Sequence, residues 1–512
     1  MTTKTYPKSR IERITKEIDV LVRARYPLMY LITPEEERIE KNLYKLSRQQ
    51  GKDLYIWSAT RGLRHYEEMY GIKEVIDQHP RFSDPLEVLE QLIKTDQEGL
   101  YVLRDFHSFL EDFTVIRKVR DLISEIKASH KNVFITSPIL KLPTELEKEV
   151  TIIDIPLPDT HEIYETLCSI VASVKKENGA LVNLTQQDAI ALAKAAQGLT
   201  LFEAENVFSK SIVVDSVLDK RDVDLIQREK EQIVRKNGIL EYYRTDCSIH
   251  DLGGFLPLKK WLAQRGKALF SEDAKKYGLP APKGMLLLGI PGTGKSLTAK
   301  VVSGLWKIPL LRLDFGKIFS GLVGSSEENM RAALKMAETL SPVVLWIDEI
   351  EKGLAGDKGG KSDGGTAARV FGTFLTWMQE KESTVFVIAT ANNIESLPPE
   401  LLRKGRFDEI FFIDLPNERE REDIIKIHLN KRKRDPTQFD LPILVQKSKG
   451  FSGAEIEQGI VEGLFHAFYE QRELSTNDLI SSFEVTVPQS VTYQEVIRYL
   501  REWASTRARK AT

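Results

Sequence analysis

The sequence predicts an α/β protein: a three-layer fold around a mostly parallel sheet, carrying a helical lid and preceded by a degenerate copy of the same fold. Three observations predict it. The run Gly289-Ile-Pro-Gly-Thr-Gly-Lys-Ser296 stands between an apolar strand, Met285–Leu288, and a helical stretch that follows Ser296. Apolar strands alternate with helical stretches along the first half, at the spacing of parallel-sheet units. Two patterns also recur in the same order: residues 132–159 echo 384–418, and 194–205 echo 446–457. Two tandem copies of one fold account for this economically; strand patterns common to all α/β domains are the alternative.

At 512 residues the chain has room for about three folding units, each able to bury a core. With 42% hydrophobic and 29% charged residues and a net charge of -2, it does not have the bulk charge of a nucleic-acid binder. Cys168 and Cys247 lie far apart without ligand-like neighbours and fit a reducing compartment. No apolar stretch reaches bilayer length, and Met1-Thr-Thr-Lys lacks a signal peptide's hydrophobic region. The expectation is a protein without a transmembrane segment, cytoplasmic, or stromal if plastid-encoded.

In the first half, Ile11–Arg25 reads as an amphipathic helix and Leu28–Ile32 as a buried strand. A helix start follows, with Thr33 as cap and Pro34 in its first turn. A phosphate loop belongs here in an α/β domain, yet there is no Gly-rich cradle and no lysine, and Glu35, Glu36 and Glu37 would repel a triphosphate. Strands follow at 54–57, 99–105, 132–137 and 151–155, with helices at 85–94 and 113–129 between them. The strand ending in Asp105 is followed by Phe106, so nothing is present to activate a water. The predicted boundaries are a first domain at 1–215, a charged helical linker at 216–240, a large α/β domain at 241–416, a helical lid at 417–475 and a helical tail at 476–512. Tyr499 and Trp503, four residues apart in that tail, are expected to pack on the protein itself.

The second half carries the chemistry. The run at 289–296 fits G-x-x-x-x-G-K-[ST], the phosphate loop of nucleoside triphosphatases. Gly289, Gly292 and Gly294, with Pro291 and Thr293 between them, allow successive N–H groups to face phosphate oxygens. Lys295 would reach the β and γ phosphates of ATP, and the Ser296 hydroxyl would hold Mg²⁺. Leu297 stands in the first turn of the helix whose amino end adds a favourable dipole. Val343–Ile347 is a buried strand delivering Asp348 and Glu349 to the carboxyl edge of the sheet. Asp348 would join the Mg²⁺ shell and Glu349 would orient the attacking water; a solvated strand end is the alternative. The neighbouring strand, Thr384–Ala389, leads to Asn392, a neutral amide able to hold that water or a γ-phosphate oxygen. Arg403 and Arg406 follow the helical turn Pro398–Leu402.

Asp251-Leu-Gly-Gly254, the phosphate loop, Val343–Glu349, Ala389–Asn392, Arg403–Asp408 and Gly450–Glu455 together resemble the AAA ATPase superfamily, continuously over 240–475. The two-copy layout resembles an AAA family of cyanobacteria and algal plastid genomes. The resemblance implies that Asp251, Leu252 and Gly253 line the adenine pocket and that Gly453 and Ala454 face the nucleotide from the lid. It implies the sensor role for Asn392, with the adjacent Asn393 as the less favoured candidate. It also implies that Arg403 and Arg406 reach the γ phosphate held by a neighbouring copy, where guanidinium groups neutralise charge on the transferring phosphoryl. Surface salt bridges with Asp408 or Glu409 are the alternative for both arginines. Hydrolysis would then require a homo-oligomer, in this family a hexamer.

The central-pore loop of the family matches Gly321, Leu322 and Val323, with leucine where protein-threading members carry an aromatic residue. The glycine-rich stretch 354–365 is expected to be a mobile loop. The expected activity is Mg²⁺-dependent ATP hydrolysis in a ring, coupled to remodelling of a macromolecular partner, by analogy a protein. A nucleic-acid-stimulated motor using the basic run Lys431–Arg434, and an ATP-gated assembly scaffold with little turnover, are the alternatives; a solvated lid loop is the plainer account of that run.

Overall fold

A computed structural model describes the chain except residues 1–9, 72–80, 128, 178–183, 216–218, 246, 272–273, 275, 320–324, 354–363 and 404. Gly321, Leu322 and Val323 lie outside the described residues, as does 354–363 of the glycine-rich stretch. The chain divides into two compact units, Met1–Glu229 and Lys230–Thr512.

In the first unit the strands are β1 (Leu28–Ile32), β2 (Asp53–Ser58), β3 (Gly62–His65), β4 (Gly99–Arg104), β5 (Asn132–Ser137) and β6 (Thr151–Asp154). They form one sheet in the order β3-β2-β4-β5-β1-β6, parallel except for β3. β1, an apolar run, is buried at every position, as a strand covered on both faces must be; β5 is buried throughout as well, although Asn132, Thr136 and Ser137 are polar. One face packs Val88, Leu92, Val119 and Leu122 from helices Pro85–Lys94 and Phe113–Ile126; the other packs Ile18, Ile39 and Leu43 from helices Arg10–Arg23 and Glu36–Gln49.

The second unit carries β7 (Leu240–Tyr243), β8 (Gly284–Gly289), β9 (Leu310–Leu313), β10 (Val343–Ile347), β11 (Val385–Ala391), β12 (Glu409–Ile413) and β13 (Arg509–Lys510). Their order is β13-β12-β8-β11-β10-β9-β7. Read from β12, β12-β8-β11-β10-β9-β7 matches β6-β1-β5-β4-β2-β3 of the first unit. In each sheet the last of these strands is antiparallel to its neighbour. The two units share one sheet plan. Beyond β12, helices Glu418–Lys431, Leu441–Lys447, Gly453–Tyr469 and Thr476–Val485 make a lid with its own core of Ile425, Leu444, Ile456, Ile460, Leu479 and Phe483.

The described structure departs from or adds to the local reading in three places. The helix expected to be capped by Thr33 starts at Glu36; the Thr33 hydroxyl instead accepts the Glu35 N–H at 3.0 Å, a turn inside the connecting loop. The hairpin strand β3 carries no strong alternation in its sequence, because both its faces are only partly buried. The tail is helical over Gln494–Arg507, but Arg509–Lys510 leaves the helix to extend the sheet beside β12. Trp503 packs on the core of the large domain, whereas Tyr499 stays exposed.

Candidate active site

β8 ends at Gly289, and the helix Lys295–Trp306 begins after a short loop in which Gly292 and Gly294 have φ of 72° and 93°. Left-handed φ of this kind disfavours a Cβ, so the glycines are required by the loop's path. Lys295 is buried, and its ammonium donates to the carbonyls of Gly289 and Ile290 at 2.9 and 2.6 Å. Burial pushes its pKa down to about 8, against the pull of Glu351, Asp348 and Glu349. A cation donating to the Gly289 and Ile290 carbonyls beside a helix amino end could meet a phosphate there. Thr293 braces the loop by donating to Ile290 O at 2.7 Å. Pro291 is exposed, and Leu297 packs at the margin of the core behind the loop.

The parallel pairing of β10 with β11 brings the remaining groups together. Ser296 Oγ donates to Asp348 Oδ1 at 2.8 Å. Thr390 Oγ1 donates to the same oxygen at 2.6 Å and accepts the Glu349 N–H at 2.9 Å. Asn392 Nδ2 donates to Glu349 Oε1 at 3.0 Å, and the Asn392 N–H donates to Glu351 Oε1 at 2.9 Å. Glu349 has φ of 49°, a left-handed conformation costing a residue with a Cβ about 1–2 kcal/mol. Such strain at a strand end persists only where neighbours over-determine it. Serine hydroxyl and carboxylate are hard oxygen donors, the kind Mg²⁺ takes beside phosphate oxygens and water, so Ser296 and Asp348 could hold it. Among the described residues, Asn392 Oδ1 and Glu351 Oε2 are buried without a hydrogen-bond partner. Sequence reasoning missed Thr390 and Glu351. Thr390 falls inside the run Ala389–Asn392, but its role exists only once β10 and β11 lie side by side.

Arg403 and Arg406 are not brought to this site. Asp408 Oδ2 accepts the N–H groups of Lys283 and Gly284 at 2.8 and 3.0 Å, which ties the arginine segment to the start of β8. The phosphate loop leaves the other end of that strand. Its six residues, five steps of about 3.3 Å, put the two ends about 17 Å apart. Asp408 is thus engaged with backbone, and Glu409 faces Arg509 at 3.5 Å; among the described residues no ion pair joins either acid to Arg403 or Arg406. Arg403 is exposed and lines a groove of about 870 Å³ with Leu402, Ile410, Tyr499 and Trp503. Arg406 Nη1 is buried without a partner among the described residues.

The segment expected at the adenine lies between phosphate loop and lid. Leu252 is buried, and a Cβ built on Gly294 would stand 3.8 Å from its Cδ1. A Cβ on Gly253 would meet Ile424 Cγ1 of the lid at 2.9 Å. Asp251 caps its own turn through the Ser248 N–H at 2.7 Å and faces Lys431 at 3.8 Å. Gly453 and Ala454 open a lid helix capped by Ser452, and the Ala454 N–H donates to Gly292 O at 3.0 Å.

The first unit repeats this frame with other residues. Thr200 and Glu203 cap the helix Leu201–Asp215 as Ser452 and Glu455 cap theirs, and Asp159 and Glu162 pair as Asn417 and Glu420 do. The lid-type N–H of Leu201 donates to the Glu35 carboxylate at 2.6 Å. Arg38, only 6% exposed, bridges Glu35 at 2.9 Å and Glu162 through two bonds of 2.9 Å. Burial raises the pKa of Glu35, with Arg38 opposing. β4 ends in Arg104, which stands opposite Thr136 on β5 and clamps Glu40 at 2.7 and 2.6 Å. A guanidinium therefore stands where the second unit has Asp348, and Asp105 takes the left-handed turn (φ 51°) that Glu349 takes there. The strand-end acid read from the sequence is this turn residue.

Models of known families match the chain in three segments. Residues 14–155 match the SpoVK-like AAA ATPase, N-terminal domain; 161–237 match the SpoVK-like AAA ATPase, second domain; 285–415 match the ATPase family associated with various cellular activities (AAA). The AAA domain-containing protein ycf46 of Guillardia theta is 42% identical over 504 residues, covering 98% of this chain and 96% of that protein. Its namesake in Pyropia yezoensis is 42% identical over 503 residues, covering 97% and 99%. The ATP-dependent zinc metalloprotease FtsH of Karelsulcia muelleri is 35% identical over 248 residues, 47% of this chain and 40% of that one.

Proposed function

Because the chain belongs to the ycf46 family of AAA domain-containing proteins, we propose that its second unit hydrolyses Mg²⁺-ATP within a homo-oligomeric ring, a hexamer, and uses the cycle to remodel a bound protein. The observation that carries this reading is the convergence of Lys295, Ser296, Asp348, Glu349 and Asn392 on one phosphate loop. Bound magnesium supplies charge neutralisation on the β and γ phosphates.

The protein groups divide the rest. Loop N–H groups and Lys295 hold the triphosphate, and Ser296 and Asp348 hold the metal's shell. Glu349 takes the proton-accepting side of the attacking water, and Asn392 fixes Glu349 by the 3.0 Å bond between them. Arg403 and Arg406, at the opposite sheet edge from their own loop, act on the neighbouring copy's γ phosphate. Asp251, Leu252 and Gly253 flank the base, and the contact of Ala454 with Gly292 passes the state of the loop to the lid.

The basic run of the lid gives little support to a nucleic-acid motor. Lys431 faces Asp251, Arg432 bonds Glu457 at 3.0 Å, and Arg434 stands in an ion pair with Glu473 at 3.0 Å. Among the described residues no helix is long and apolar enough to cross a membrane. The test is an ATPase assay with Glu349→Gln. Turnover lost with nucleotide binding retained, and proteins retained on the ATP-trapped variant, support the motor; an assembled wild type without turnover supports a scaffold instead.

A further inference from the structure

We propose that Thr390 is a positioning residue: its hydroxyl sets Asp348 and Glu349 together for magnesium-dependent hydrolysis, an inference that rests on the ATPase reading above. Thr390 is 1% exposed on β11. A threonine hydroxyl has one proton and two lone pairs. Here the proton goes to Asp348 Oδ1 at 2.6 Å, and a lone pair takes the Glu349 N–H at 2.9 Å. Since Ser296 Oγ reaches the same Asp348 oxygen, two hydroxyls fix the rotation of that carboxylate. The second bond anchors the backbone of Glu349 in its left-handed turn. One side chain therefore determines where the metal-side acid and the water-side acid stand relative to each other.

The first unit supplies an internal control. Thr136 of β5 stands opposite Arg104, where Thr390 stands opposite Asp348. Its hydroxyl is buried without a partner among the described residues. The left-handed turn at Asp105 persists nonetheless, because the Asp105 N–H donates to the Thr136 backbone carbonyl at 2.9 Å. The hydroxyl is engaged where both acids are present and idle where the metal-side acid is replaced. The turn itself forms without it, so the isosteric Thr390→Val chain is expected to fold.

The test uses the full chain as wild type, Thr390→Val and Thr390→Ser. Affinity for a fluorescent ATP analogue is measured in EDTA and in excess Mg²⁺, beside kcat and KM. For Thr390→Val the affinity in EDTA should be unchanged, the gain on adding Mg²⁺ reduced, and kcat lowered about 10- to 100-fold, the worth of a hydrogen bond to a charged group. Thr390→Ser should restore both. A valine variant with wild-type magnesium gain and kcat overturns the proposal. So does one that loses affinity in EDTA as well, which would make Thr390 a support of the loop, or a serine variant that fails to rescue. A wild type that binds no nucleotide in Mg²⁺ overturns the ATPase reading, and this proposal with it.

Discussion

The backbone N–H of Ala454 donates to the carbonyl of Gly292 across 3.0 Å, fastening the first turn of a lid helix directly onto the phosphate loop. A shift of the loop on phosphate binding or loss is expected to reach the lid through this bond.

Gly292→Ala follows from that contact. A Cβ at Gly292 would lie 3.0 Å from both Ala454 Cβ and Ser452 Oγ, at a φ of 72°. Strain at such a position costs of order 1–3 kcal/mol, so nucleotide affinity should fall about tenfold or more. Titration with a fluorescent nucleotide measures it, and a second substitution, Ala454→Gly, should return part of the loss.

Arg38→Met should destabilise the first unit without emptying the second. It leaves the Glu35 and Glu162 carboxylates buried and unpaired, a change that costs about 3–5 kcal/mol. Burial already favours the protonated form of Glu35, so the cost should be smaller at pH 5 than at pH 7. Calorimetric melting should show the first unit's transition moving down. Isothermal titration of the wild type should show one nucleotide per chain, since Arg104 and the glutamates leave the first unit no phosphate cradle.

The lid has its own acid limit. Arg472 reaches both oxygens of Asp478 at 2.6 Å, and with Ser475 it holds that carboxyl well below the usual carboxylate range. The folded pKa is depressed, so this stability is present above the unfolded value near pH 4 and is lost as pH falls through the folded one. Asp478→Asn should remove about 2 kcal/mol from the lid at pH 7. It should also flatten the acid dependence of hydrogen exchange in the Thr476–Val485 helix.

The readable parts of this chain are those in which one short segment carries its own physics. β1 and the Val133–Ile135 centre of β5 are apolar runs, and the phosphate loop is a glycine pattern with a lysine, so each is visible locally. What the sequence withholds is pairing. β7 joins β9 from far along the chain, and β13 leaves a helical tail to lie beside β12; neither short edge strand has enough residues to show a period. Thr390 and Glu351 are anonymous in sequence because their partners come from an adjacent strand end. The loss of chemistry in the first unit was legible as missing glycines and lysine. The Arg38 clamp that stands in its place was not, since Arg38, Glu35 and Glu162 meet only after folding.

The central claim, that one copy's arginines complete another copy's site, is tested most directly by mixing two inactive chains. Lys295→Met keeps its arginines but cannot hold the triphosphate; the double variant Arg403→Ala, Arg406→Ala keeps its phosphate loop but has no guanidinium to lend. Each should be inactive alone, and mixed assemblies should recover ATP turnover because intact loops then face intact arginines. A mixture no more active than its parts, or an arginine double variant hydrolysing ATP at the wild-type rate by itself, would contradict the account.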